Sequence, residues 1–400
     1  MPGRPTVLVL THEPPLPAVS GGRVRSLGLI RELVRRGWGV SLFSLVPGEP
    51  VSKRDREELE SLCDVAELVP LGRGRLAGYG SILLAAALRR AFQEVYFLSR
   101  RARDEVGKLL AAGDFDAILA GQLYMYPYVP PARRRETVLD CHNVELQRVE
   151  RMADVLWPRP RGVVARLQRG PVRRYEERAV ASVAGALAVS EADRAHLEAI
   201  SPGRVELVPN GVDCERIRPR DSLPDSGVLF LGAMDYGANA DGLLHLVADV
   251  LPRVRTPVTV TVAGGNPPRS VIRAAARSPS EVRVLGRVES TAPCFERNRI
   301  LVVPLRLGGG TRLKVLESLA RGVPVVTTSL GCEGLGLTHG REAIVADRPD
   351  EFAAWIDRLL GDDELCRALA RNGRELVERR FDWRRIGGSL DAAIRRLVGR

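Results

Sequence analysis

Short runs rich in β-branched residues alternate along the chain with longer stretches whose apolar positions recur every three or four residues. This is the pattern of strands and helices wound around a parallel sheet. In the first half the apolar runs are TVLVL from Thr6, VSLFSLV from Val40, VAELV from Val65, DAILAG from Asp116, TVLD from Thr137, GALAVS from Gly185 and VELVP from Val205. The stretch NGVDCERIRPRDSLPDSG, from Asn210 to Gly227, has no apolar period and is rich in Pro, Gly and Asp, so it reads as a linker. Alternation resumes with VLFLG from Val228, VTVTVAGG from Val258, VRVLG from Val282, RILVVP from Arg299, VPVVTT from Val323 and AIVA from Ala343. The two series predict an α/β chain of two doubly wound domains facing each other across a cleft. The expected bounds are 1–209 for the first domain, 210–226 for the linker, 227–380 for the second domain and 381–400 for a C-terminal helix that crosses back to the first domain.

Composition narrows the function classes. A chain of 400 residues, 45% hydrophobic and 27% charged, is globular and long enough for two cores. A net charge of +11 points to a polyanionic partner, yet 57 of the 60 cations are arginines and only Lys53, Lys108 and Lys314 are lysines. Such a uniform bias weakens the step from charge to nucleic acid, and no nucleic-acid module or aromatic stacking platform is visible, so no nucleic-acid partner is expected. No apolar run reaches the ~18 residues of a membrane span and the N-terminal stretch lacks a signal-peptide core, which predicts a cytoplasmic protein. Six cysteines without a C-x-x-C pair predict reduced thiols, and no metal site is expected.

The densest candidate chemistry is RLGGGTRLKVLE, residues 306–317, between the strand RILVVP and a helix expected to begin near Thr311 as its N-cap. Gly308, Gly309 and Gly310 would bring bare backbone N–H groups to a helix N-terminus, a ready anion site. Arg306, Arg312 and Lys314 supply charge against a phosphate. Glu317, one turn beyond Lys314, could accept hydrogen bonds from two vicinal ribose hydroxyls. The plainer alternative is a solvated Lys–Glu pair after a glycine turn.

Gly21 and Gly22 open a helix after the first strand and form, with Arg23 and Arg25 next to them, a second candidate anion loop, or a simple turn. His142, in DCHNVE, follows a strand end, where open α/β sheets bind ligands; it either acts on substrate or caps the next helix. His12 is placed similarly, whereas His196, His245 and His339 read as surface residues. Asp114 and Asp116 lie at the amino end of their strand and read as structural. Eight arginines between Arg151 and Arg178, interleaved with Trp157 and aliphatic residues, read as a solvated face or as a contact for an anionic membrane surface or acceptor.

Taken together, SGGRVR, HNVE, VSEAD, VPNGVD and PLRLGGGTRLKVLESLARGVPVV resemble a family 4 (group 1) glycosyltransferase of the GT-B fold over nearly the whole chain. The resemblance implies retaining, metal-independent sugar transfer from a nucleotide-diphosphate sugar to a saccharide or lipid-linked acceptor, without a cofactor. Such chemistry belongs to cell-surface polysaccharide or glycoconjugate synthesis, in the cytoplasm or at the inner face of the cell membrane. Carried over by position, Glu317 is the family's second motif glutamate on the ribose and Gly22 belongs to the diphosphate loop. His142 is the histidine near the transferred sugar, and Val284 to Arg287, with Gly286, form the loop meeting the base. Two departures stand out. The family's first motif glutamate falls on Gly309, and its Arg and Lys after the first strand of the second domain fall on Ala233 and Ala238. Arg306, Arg312 and Lys314 are the cations able to substitute. The missing glutamate motivates an alternative, a catalytically idle homologue that binds nucleotide sugar or scaffolds.

Overall fold

The computed structural model describes residues 3–72, 75–155, 157–308 and 312–399. Every predicted apolar run is a strand. The first sheet contains β1 (Thr6–Thr11), β2 (Gly39–Val46), β3 (Val65–Pro70), β4 (Ala117–Gly121), β5 (Thr137–Cys141), β6 (Gly185–Ala188) and β7 (Val205–Leu207). The second contains β8 (Val228–Leu231), β9 (Thr259–Ala263), β10 (Glu281–Gly286), β11 (Ile300–Val303), β12 (Val325–Thr327) and β13 (Ile344–Val345). The orders are β3-β2-β1-β4-β5-β6-β7 and β10-β9-β8-β11-β12-β13, with parallel pairing throughout. Central strands such as β2 are buried at every residue, because helices cover both faces of a parallel sheet; the edge strands β3 and β10 keep exposed positions. In each sheet the strand order reverses direction once, between β1 and β4 and between β8 and β11. The carboxyl ends at those points are where such sheets take ligands.

The chain divides into two compact units, residues 1–210 with 383–400, and residues 211–382. The stretch 210–226, expected as a linker, is therefore mostly part of the second unit. Arg220 explains how a segment without apolar period is held. Its guanidinium donates to the carbonyls of Asn298 and Arg299 at 2.9 and 3.0 Å, while its backbone N–H donates to Arg321 O at 3.0 Å. The helix Trp383–Val398 belongs to the first unit. Trp383, Ile386, Leu390, Ala393 and Ile394 recur at three- and four-residue spacing and are buried with Leu27, Ile30 and Leu187. Trp38 Nε1 donates to Asp391 Oδ1 at 2.7 Å and fixes the helix's rotation.

Asp116 has the structural role its position suggests, since its carboxylate accepts from Thr6 N at 2.7 Å and joins the amino ends of β1 and β4. All six cysteines are free and buried. No helix among the described residues is long and apolar enough to cross a membrane.

Candidate functional site

In the second unit the site residues gather at the carboxyl edge of the sheet. The helix carrying Lys314 and Glu317 spans Leu313–Ala320, with Arg312 at its N-cap position. Gly309, Gly310 and Thr311, the remaining expected phosphate and cap residues, lie outside the described residues. Val315, Leu316, Leu319 and Ala320 are buried against the sheet, which fixes the directions of the polar side chains between them.

Lys314 is not the solvated half of a surface pair. Its ammonium is buried at the end of β8, donating to the carbonyl of Leu231 and to Asn239 Oδ1 at 2.8 Å, 5.5 Å from the Phe230 ring centre. Asn239 Nδ2 in turn donates to Ala233 O at 2.9 Å. The cation thus arrives from the opposite side of the sequence at the loop where Ala233 and Ala238 leave no charge of their own. Burial, reinforced by the neighbouring Arg312 charge, lowers the Lys314 pKa to about 7.

Gly308 joins this cluster. Its φ of +108° lies in the region that favours glycine, and a Cβ there would meet Tyr236 Oη at 2.9 Å and Arg312 Nη2 at 3.1 Å. Arg312 is itself buried. Arg306, by contrast, is half exposed and held in a two-bond pair with Asp241, at 3.1 and 2.9 Å.

Gly286 and Arg287 stand on the same edge. Gly264 N donates to Gly286 O at 2.8 Å and Met234 N to Gly265 O at 2.8 Å, stitching together the loops that follow β8, β9 and β10. Glu317 points to the segment after β10 and not to Lys314. Its Oε1 accepts from Thr291 Oγ1 at 2.5 Å and from Arg321 at 3.0 Å. The structure thus brings Lys314, Arg312, Gly308, Gly286, Arg287 and Glu317 to one sheet edge, with Arg306 beside them but already paired.

In the first unit Gly21 and Gly22 begin the helix Gly21–Arg35, where Ser20 caps by accepting from Arg23 N. The anion at this helix start is the chain's own. Glu13 accepts from Ser20 Oγ at 3.0 Å and from Arg23 Nε at 2.8 Å, and a Cβ on Gly22 would lie 3.1 Å from Glu13 Oε1 and 3.4 Å from His142 Nδ1. An incoming phosphate would have to displace or share that carboxylate.

His142 does not cap the following helix. The helix Glu145–Val155 is capped from elsewhere, by Glu176 accepting from Glu145 N at 2.8 Å. The His142 ring is buried with both nitrogens engaged, Nε2 with Asp140 Oδ2 at 2.9 Å and Nδ1 with Gln122 Nε2 at 2.8 Å. A proton on Nε2, donated to Asp140, satisfies both contacts. For His142 to bond a substrate, Gln122 must rotate away. Gln122 is itself buried with a φ of +61°, a strained conformation of the kind found at binding sites.

Behind the histidine, Asp140 is buried against the Arg25 guanidinium at 2.5 Å. Burial pushes the Asp140 carboxyl up, but Arg25 and His142 outweigh it and hold the carboxyl well below its usual range. His12 packs edge-on against Phe97 and Tyr124, and burial lowers its pKa to about 4, so it is neutral at physiological pH. Of the other histidines, His339 is exposed and His196 partly so. His245, expected at the surface, is buried and paired with Asp249 at 2.6 Å.

Sequence reasoning set Arg23 and Arg25 beside the Gly21-Gly22 loop as helpers for an anion, whereas Arg23 pairs with Glu13 and Arg25 with Asp140. It missed Asp140, Gln122 and Glu13 in the first unit and Tyr236 and Asn239 in the second. Asp140 carried a faint signal, since its charge sits within an otherwise apolar strand.

The sequence profile described as Glycosyltransferase Family 4 matches residues 19–216, and that described as Glycosyl transferases group 1 matches residues 225–362. A D-inositol 3-phosphate glycosyltransferase of Frankia alni is 30% identical over 214 residues, 46% of this chain and 52% of that protein. The chain spans about half the length of the curated relatives it matches. Among solved structures, sucrose-phosphate synthase from Thermosynechococcus elongatus aligns with a TM-score of 0.73 at 18% identity, over 99% of this chain and 100% of that one. HepE of Anabaena in complex with UDP and glucose aligns with a TM-score of 0.69 at 15% identity, over 97% and 99%. With one profile on each half and the architecture shared from end to end, the chain belongs to the group 1, family 4 glycosyltransferases of the GT-B fold.

Proposed function

We propose that the protein is a retaining glycosyltransferase that moves a sugar, a hexose or close relative, from a nucleotide-diphosphate sugar to a saccharide or lipid-linked acceptor in cell-surface polysaccharide or glycoconjugate synthesis. The observation that carries this reading is the Lys314 ammonium held at the carboxyl end of β8, beside Asn239 and the Arg312 charge. It restores a cation to the loop where Ala233 and Ala238 replace basic residues. A departing diphosphate gains negative charge as the sugar leaves, and fixed cations lower that barrier because they need no reorganisation. The ribose falls to Glu317 and the base to the loop around Gly286 and Arg287. The named complex of HepE with UDP and glucose supports a nucleotide-sugar donor for this chain. The idle alternative rests on Gly309 alone. A thermal-shift screen with UDP, GDP, ADP, dTDP and their sugars, followed by single-turnover transfer from the stabilising donor, tests the proposal. Stabilisation of ~2.7 kcal/mol is expected at a hundredfold excess over Kd. No stabilisation by any of them removes the donor site, and donor binding without transfer selects the idle homologue.

Two further outcomes are expected. Glu317→Ala raises the donor Kd by about tenfold or more, since a hydrogen bond to a charged acceptor is worth about 1.5–3 kcal/mol. Because Arg321 and Thr291 also lose their partner, Tm is measured alongside, and an unchanged Kd in calorimetry takes Glu317 out of the ribose site. Turnover is also expected to persist in EDTA, with side-chain cations doing the neutralising that Mg²⁺ does elsewhere. Activity abolished by chelator and restored by Mg²⁺ or Mn²⁺ refutes metal independence.

A further inference from the structure

The arginine-rich segment of the first unit has a structural property that its composition alone does not reveal. Of the eleven large apolar side chains exposed among the described residues, six fall in two short stretches: Leu84 and Leu88, and Val155, Trp157, Val163 and Leu167. Trp157 is 51% and Leu167 66% exposed, in a fold whose other large apolar residues are nearly all buried.

These stretches adjoin one another. The helix Pro160–Ser182 meets the end of the helix Arg75–Ala87, with Gln168 Nε2 donating to Arg90 O at 3.4 Å and Arg174 Nη2 to Arg89 O at 3.3 Å. On the Pro160–Ser182 helix, Ala165, Gln168, Val172, Tyr175 and Ala179 are buried. Val163, Arg166, Leu167 and Arg174, at three- and four-residue spacing, lie on the opposite side, and Arg159 precedes them in the same register.

Charge on this face is mostly positive, with Glu177, one turn beyond Arg174, as an exposed carboxylate in the same register. Among the described residues no carboxylate lies within ion-pair distance of Arg159, Arg166 or Arg174 on this face, or of the exposed Arg161 in the first turn beside it, while the nearby Asp154 and Glu150 are taken by Arg169 and Arg173. Arg166 lies over the Trp157 ring, 4.1 Å from its centre, so the apolar and cationic groups are interleaved side by side.

We propose that this face docks on an anionic phospholipid bilayer. The tryptophan and leucines would enter the boundary between headgroups and acyl chains while the arginines reach back to phosphates, the arrangement of an interfacial helix. The pairing of exposed apolar residues with unopposed arginines selects this occupant. A nucleic acid has no use for Leu84, Leu88 and Leu167, and a second copy of the chain would set arginine against arginine.

The test is co-sedimentation of the full chain with phosphatidylcholine vesicles, alone and with a third of phosphatidylglycerol. Binding is expected only to the anionic vesicles and weakens with salt. Changing Arg159, Arg161 and Arg166 together to Gln is expected to reduce partitioning on the order of a hundredfold. Trp157→Ala with Leu167→Ala reduces it further at high salt, where the apolar contribution dominates. All five positions are exposed, so Tm is expected to stay at the wild-type value. The proposal fails on any of three results: equal or absent binding to the two vesicle types, binding to RNA but not to vesicles, or a dimer that Leu167→Asp dissociates. Because the readout is binding, it stands or falls separately from glycosyl transfer.

Discussion

Lys314→Met is expected to lower kcat by roughly 10²–10³, the scale of one lost electrostatic donor in a reaction that builds negative charge. Methionine follows the lysine side chain as far as Cε, ends one atom shorter and relieves the burial of a charge, so the fold should survive, and Tm is the control. Lys314→Arg should not rescue. The ammonium is buried between Leu231 O, Asn239 and the Phe230 ring, and a planar guanidinium would overfill that seat at a cost of about 1–3 kcal/mol.

The lowered pKa adds a pH signature. With Lys314 near 7 in the free protein, the ammonium is lost as pH rises through about 7, and a bound diphosphate would hold the proton to higher pH. Thus kcat/KM should fall above pH 7 while kcat stays level for a further interval, and Lys314→Met should abolish that difference. Stability moves the other way. The unfolded chain binds a proton that folded Lys314 has released, so its burial costs less as pH rises from 7 towards the ordinary lysine value of 10.5. A variant with wild-type turnover and an unchanged pH profile would place the diphosphate elsewhere.

Asp140→Ala is expected to destabilise the first unit by about 3–5 kcal/mol, because it strands the Arg25 guanidinium without its counter-charge. Arg25 is 1% exposed and spends its donors on Asp140 and on Val208 O, Pro209 O and Asn210 Oδ1, at 2.9, 3.1 and 3.0 Å. A paired change, Arg25→Met with Asp140→Leu, should recover much of the loss, since buried ion pairs are replaced by apolar groups at little cost. Urea titration of the first unit's transition measures both, and an Asp140→Ala midpoint equal to wild type would show that the pair contributes nothing. Because the folded Asp140 carboxyl lies below its ordinary value of 3.8, its contribution is present above that pH and is lost as the medium becomes more acid.

The strands were legible because each is a run of buried β-branched residues, and a parallel sheet covered on both sides leaves little other use for such a run. TVLVL and ILVV could hardly be anything else. The linker was not legible, because Arg220 and Arg299 hold residues 211–226 through carbonyls, and side chain to backbone bonds leave no periodic trace. In the site, residues on the same short segment as a glycine turn or a strand end were found. Those that reach it from afar were not. Arg25 and Asp140 are 115 positions apart, and Asn239 meets Lys314 across 75, distances over which a single sequence carries no pattern. Lys314 was singled out for its rarity, yet its direction, inward to a strand end, needed the packing of Val315, Leu316 and Leu319 to set it.

The return of the Trp383–Val398 helix to the first unit bears on how the protein is made. A ribosome finishes residues 211–382 before it reaches Trp383, so the unit begun first is completed last. At 5–20 residues per second, roughly 10–40 s separate the synthesis of Asn210 from that of the end of the Trp383–Val398 helix. Throughout that interval the surface formed by Leu27, Ile30 and Leu187 waits for Leu390 and Ile394, which cover it in the finished protein. A nascent chain with its second half already folded therefore carries an open apolar face on its first half. A premature stop after Asp382 would leave the second half whole and expose the first to chaperones and proteases.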